Sequence, residues 1–355
     1  MKRIVICADG TWNLRDQIDK ESGKRRPTNV TKVARAIRPR ALDKVDQVVF
    51  YHDGLGTRGP MDKFTGGAFG VGIEGNVRNL YRSIVYNYEA GDEIYFFGFS
   101  RGAFTVRTLT GFMNLVGLVQ KDDDYYVPEI YACYENGDRP GSQAWQKAFH
   151  NVAGTRPCPP IRFVGVWDTV GSLGAPGPIG KVASWFNGNK YTYHDVGLNE
   201  HIANAHQALA IDERRRPFAP TLWIRPQGWT GVLEQAWFPG VHSNVGGGYR
   251  PDGLANEALH WIVSRAEAVG LDVDHGYLDK FEPHFDSKLH DSMSFQFHMF
   301  GPLLRPVGRH RADGECVHEA AIKRMKHAGS HYAPANLSGV VGEGPEALPV
   351  VSTRR

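Results

Sequence analysis

The stretch from Glu93 to Gly102 constrains this chain more than any other. Ile94-Tyr95-Phe96-Phe97 is a near-continuous apolar run, the pattern of a strand buried on both faces. It leads into Gly98-Phe99-Ser100-Arg101-Gly102, and Arg101–Val116 reads as the helix that follows. A serine with glycines two before and two after, set between a buried strand and a helix, predicts a nucleophile elbow. The glycines let strand and helix pass close together, so that the hydroxyl stands clear of the sheet. The helix N-terminus adds partial positive charge and amide donors beneath it. The plainer alternative is that Ser100 only caps the helix.

Short apolar runs alternate with helical segments along the rest of the chain, which predicts an α/β fold with a mostly parallel central sheet and helices on both faces. Strands are expected at Ile4–Ala8, Gln47–His52, Glu93–Phe99, Ile161–Trp167, Thr221–Ile224 and Glu234–Phe238. Helices are expected at Asn29–Ile37 (capped by Thr28), Glu74–Tyr88 and Leu254–Val269. Residues 171–199, rich in glycine, proline and aromatics, read as a cap inserted over the sheet. A single α/β-hydrolase-like domain is expected over 1–338, with a flexible tail at 339–355.

A free serine hydroxyl needs an adjacent base, itself oriented by a third group. Asp168, just past the buried strand Ile161–Trp167, is placed to hold that base in the useful tautomer. Asp212, in Ala-Ile-Asp-Glu-Arg-Arg-Arg, is its rival, with a structural ion pair to the arginines as its more natural role. Of fifteen histidines, His242 stands out because it follows a strand end and precedes three successive glycines. His290 is the runner-up. The order Ser100, Asp168, His242 is that of α/β-hydrolases. The oxyanion hole is expected from the Arg101 amide and from Gly10 or Thr11 in the loop after the first strand, with Asp9 bracing that loop. Trp185 and Phe186 in the cap are candidates for an apolar substrate pocket.

With 41 basic against 38 acidic residues, the net charge of +3 points to no nucleic acid or other polyanion as a partner. The four cysteines lie far apart, so neither a disulfide framework nor a metal site is expected, and no cofactor is implied. The N-terminal apolar run is too short for a signal peptide, and no stretch is long enough to cross a bilayer. A cytoplasmic protein as synthesised is expected.

The motifs taken together resemble a known family. They are Asp9-Gly-Thr-Trp-Asn, Asp53-Gly-Leu-Gly-Thr, Gly98-Phe-Ser-Arg-Gly-Ala, Val166-Trp-Asp-Thr-Val-Gly, Ala210-Ile-Asp-Glu-Arg-Arg-Arg-Pro-Phe, Phe238-Pro-Gly-Val-His-Ser-Asn-Val-Gly-Gly-Gly-Tyr and Tyr332-Ala-Pro-Ala-Asn-Leu. In this order, from about residue 2 to 338, they are similar to the catalytic domain of type VI secretion phospholipase effectors and their bacterial and fungal relatives. The resemblance implies a serine esterase or lipase acting on glycerophospholipid acyl esters, transient contact with a membrane surface, and delivery without a signal peptide. It puts the family's serine on Ser100 and its glycine-loop histidine on His242. Two departures stand out: Asn244 occupies a place where the family usually has Asp, and little chain follows the shared domain for membrane-anchoring modules. The other readings are a metal-dependent phosphoester hydrolase using Asp9 and Asp53, and a non-catalytic binding protein of the same fold.

Overall fold

Ile4, Val5, Ile6 and Cys7 are all fully buried, although successive strand residues point to opposite faces. Both faces of their strand are therefore covered, and the chain is built in three layers. The computed structural model describes residues 1–10, 17–18, 23–54, 72–171, 196–298, 301–342 and 347–353. Its main sheet contains β1 (Lys2–Ala8), β2 (Asp46–His52), β3 (Glu93–Phe99), β4 (Ile161–Trp167), β5 (Asn204–Ala210), β6 (Val232–Phe238), β7 (Glu315–His318) and β8 (Val350–Val351). They run in the order β2-β1-β3-β4-β5-β6-β7-β8, and every neighbouring pair is parallel.

Four helices carry most of the covering layers: α1 (Asn29–Ala36), α2 (Ile73–Asn87), α3 (Arg101–Val116) and α4 (Gly253–Glu267). Ile4, Ile6, Ile94 and Phe96 pack with α2 and α3 on one face. Val5, Cys7, Tyr95 and Phe97 pack with α1 and α4 on the other. This is the α/β-hydrolase-like sheet that the alternating pattern predicts. The strand order reverses between β1 and β3, and at such a switch point the loops leaving the carboxyl ends diverge and open a crevice. Ser100 follows β3 and Gly10 follows β1, so both stand at that crevice.

Two expectations need correction. Thr221–Ile224 is not a strand, and β5 is one that the pattern did not reveal. The two errors share a cause. Gln207 of β5 and Gln235 of β6 are buried and bonded to each other. The Gln235 side chain accepts from the Trp223 amide at 2.8 Å and donates to the Trp223 carbonyl at 3.0 Å. A glutamine amide thus satisfies both main-chain groups of Trp223, and Arg107 and Gln207 side chains donate to the Thr221 carbonyl, where a partner strand would otherwise be needed. In the segment read as a tail, Leu348 is buried and Val350–Val351 pair in parallel with β7.

Candidate active site

The elbow after β3 is held in a conformation that side chains seldom adopt. Ser100 has φ 58° and ψ −123°. Its amide donates to Trp167 O at 3.0 Å, which ties the turn to the end of β4. A Cβ on Gly102 would lie 2.1 Å from the Ala8 carbonyl oxygen, and one on Gly98 would lie 2.6 Å from Ala103 Cα. The glycines are therefore required by backbone contact between α3 and the strands beside it. Asp168 also has a positive φ, at 42°. Strain of this kind persists only where surrounding structure holds it, and it gathers at functional sites.

Three segments far apart in the chain meet here. His242 opens a short helix, His242–Gly246, just past β6. Its Nε2 is 2.8 Å from Ser100 Oγ, and its Nδ1 is 2.6 Å from Asp168 Oδ2. Asp168 is 0 % exposed, His242 4 % and Ser100 7 %. Phe99 and Phe218 wall the imidazole, with ring centroids 4.7 and 5.0 Å away. Burial accordingly lowers the His242 pKa, with the Asp168 contact acting in the opposite sense. Burial would raise the Asp168 pKa, but the Arg305 charge and the His242 and Arg305 hydrogen bonds hold it well below the carboxylate range. An ionised Asp168 accepts the Nδ1–H, which leaves Nε2 as an acceptor facing the serine hydroxyl. The arrangement can take a proton from Ser100.

Two supporting groups escaped the sequence reading. Arg305 grips Asp168 with both arms, Nη1 at 2.5 Å from Oδ1 and Nη2 at 2.9 Å from Oδ2. It lies in Pro-Leu-Leu-Arg-Pro, and a lone arginine among apolar residues was the only signal. Glu213 is the second. It is buried, paired with Arg215 at 2.8 Å, and accepts from the His242 amide at 3.2 Å and from Ser292 Oγ. Asp212, the rival acid, accepts instead from the Gly240 amide and the Tyr332 hydroxyl. Its structural role is thus carried by hydrogen bonds that anchor the turn after β6.

Asp9 accepts from the Gly10 amide at 2.7 Å, Thr28 Oγ1 at 2.5 Å, Thr31 Oγ1 at 3.0 Å and the Tyr51 hydroxyl at 2.6 Å. Both carboxylate oxygens are engaged in bracing the turn after β1. The Gly10 amide is committed to that brace. Arg101 is the first residue of α3, where amides point out of the helix end. Thr11, Trp185 and Phe186 lie outside the described residues, as does most of the cap. Asn244 accepts from the Val241 and His290 amides and donates to the Lys288 carbonyl at 3.2 Å. A carboxylate there could not make the last bond, so Asn244 suits the loop it holds. His290 stacks on Tyr249 at 4.3 Å and meets Asn244 rather than the serine. Among the described residues no group of three or more His, Cys, Asp or Glu side chains is placed to hold a metal ion.

A family model described as "T6SS, Phospholipase effector Tle1-like, catalytic domain" matches residues 2–265. The chain belongs to this family. Ser100, Asp168 and His242 fall inside the matched span of the Tle1-like domain, and Arg305 falls outside it. A Saccharomyces cerevisiae relative, the uncharacterized protein YEL023C, is 26 % identical over 198 residues, covering 49 % of this chain and 27 % of the yeast protein. An uncharacterized Pseudomonas aeruginosa protein of known crystal structure aligns with TM-score 0.49 and 16 % identity, over 80 % of this chain and 49 % of its own. The Tle1 effector solved bound to the VgrG spike of the type VI secretion system aligns with TM-score 0.39 and 20 % identity, over 70 % and 51 %. The chain thus spans about half the length of those two structures and about a quarter of the yeast protein.

Proposed function

We propose that this chain hydrolyses the carboxylic acyl esters of lipids, phospholipids among them, through a Ser100-His242-Asp168 triad and an acyl-enzyme. The observation that carries the reading is the continuous relay from Ser100 Oγ through His242 to the buried Asp168, at 2.8 and 2.6 Å. The Tle1-like family supplies the substrate class.

In the first half-reaction His242 Nε2 accepts the Ser100 proton as Oγ attacks the ester carbonyl. The Arg101 amide is one donor to the oxyanion. A second comes from the loop after β1, where Gly10 is engaged with Asp9 and Thr11 is the remaining candidate. Collapse expels the alcohol, which takes its proton from His242. Water then attacks the acyl-enzyme, giving a proton to His242, and the free fatty acid leaves as Ser100 recovers its hydrogen. Asp168 keeps the ring in one tautomer and stabilises the imidazolium formed in each half. Contact with a lipid surface and delivery without a signal peptide follow from the same reading. Among the described residues no helix is long and apolar enough to cross a membrane.

The products decide between ester classes. Mixed glycerophospholipid vesicles incubated with the protein should yield free fatty acid and lysophospholipid, unchanged by EDTA. Release of a phosphorylated head group that EDTA abolishes would overturn the acyl-ester reading in favour of metal-dependent phosphoester hydrolysis.

A further inference from the structure

Arg305 is 1 % exposed and meets Asp168 with two parallel N–H donors. The same two nitrogens also donate to main-chain carbonyls, Nη1 to Ala210 O at 2.8 Å and Nη2 to Phe218 O at 2.6 Å. The Ala210 amide in turn donates to Asp168 Oδ1 at 3.0 Å. The guanidinium therefore joins the end of β5, the segment carrying Phe218 and the carboxylate after β4 into one rigid unit. Planar two-pronged pairing of this kind fixes both the plane and the rotation of a carboxylate, which a point charge would not do.

We propose that Arg305 is a positioning residue for the triad, presenting Asp168 Oδ2 to His242 and sharing its charge so that the imidazole remains a neutral base in more acidic solution. The proposal rests on the triad reading above. An unshared aspartate 2.6 Å from Nδ1 would strongly favour the imidazolium and demand a higher pH before His242 could accept a proton. Among the described residues, the charged groups around the ring are Asp168 from the end of β4, Glu213 and Arg215 from the segment after β5, and Arg305. Ser100, from the elbow, adds only a hydroxyl. Glu213 and Arg215 form their own ion pair, and Arg305 pairs with Asp168. His242 thus faces two compensated pairs, and loss of the Arg305 charge would leave an excess of one negative charge beside it.

The test is the pH dependence of kcat/KM on a p-nitrophenyl ester for wild type, Arg305→Gln and Arg305→Lys. Arg305→Gln should move the acid limb up by about one pH unit and lower kcat by about 10²-fold through the misplaced acid. Arg305→Lys keeps the charge and loses the two-pronged grip, so its limb should stay near wild type while kcat still falls. A folded Arg305→Gln with unchanged limb and kcat would overturn the proposal. Should circular dichroism show Arg305→Gln unfolded, Arg305→Lys is decisive: full kcat overturns, reduced kcat with an unmoved limb supports. Burial of the ring alone should place the wild-type limb below the ordinary histidine value of about 6.5, so it is the shift in Arg305→Gln that tests the charge sharing. An active Ser100→Ala would sink the triad and this inference together. A dead Ser100→Ala beside an unaffected Arg305→Gln would sink the inference alone.

Discussion

Ser100→Ala should fold as the wild type does and lose esterase activity by about 10³-fold or more, since loss of one triad member leaves only binding and the oxyanion hole. Among the described residues, nothing in the packing opposes the change. The Ser100 side chain makes no helix-capping hydrogen bond, and its Oγ pairs only with His242 among the bonds described. His242→Ala should be about as damaging, and the double variant should cost little more than either, because the two act as one unit. Simple additivity of the two losses would count against a shared proton transfer. An inactive His290→Ala beside an active His242→Ala would mean the base had been misassigned, although His290 meets Asn244 rather than the serine.

Gly102→Ala should have the largest effect among substitutions that leave the triad's own side chains intact. The new methyl would lie 2.1 Å from Ala8 O and 2.5 Å from Asp9 O, both main-chain atoms of the central strand and its turn. Neither can move without disturbing the sheet, so α3 must retreat. Overpacking of this kind costs about 1–3 kcal/mol, which should appear as a lowered Tm. A displacement of α3 also carries Ser100 and the Arg101 amide away from the substrate carbonyl, and a shift near 1 Å can cost about 10² in rate. Gly75→Ala in α2 is the control, because nothing lies within 4 Å of its added Cβ. It should leave both Tm and activity near wild type or slightly improve the Tm. Equal behaviour of the two variants would show that the elbow is looser than its contacts require.

How much of this could be read from the chain depended on what buries each segment. β3, the elbow and α3 were legible to the residue, because a strand covered on both faces is continuously apolar and the glycines punctuate its end. β4 was legible for the same reason. Asp168 and His242, the proposed acid and base, were picked out by chain order and by their places at strand ends, and both lie beside Ser100. β5 was not legible, since it buries His206 and Gln207 between alanines, and polar residues satisfied inside a sheet erase the apolar signature. Thr221–Ile224 misled in the opposite direction, being apolar enough for a strand while a glutamine side chain served as its partner. Arg305 carried no signal beyond standing alone among apolar residues. Its partner lies 137 residues earlier, and only the fold brings the two together. The role of Glu213 was hidden in a similar way, because the amide it accepts from belongs to His242, 29 residues later and in another segment.

The central claim is that Ser100 is an activated nucleophile, and covalent labelling by a fluorophosphonate tests it most directly. Such a probe forms a stable adduct only where a base has drawn off a serine proton. Wild type should gain a single probe mass, located by peptide mass spectrometry on the Gly98–Gly102 segment, while Ser100→Ala and His242→Ala should remain unlabelled. A wild-type protein that stays unmodified, or an adduct that persists in Ser100→Ala, would contradict the account.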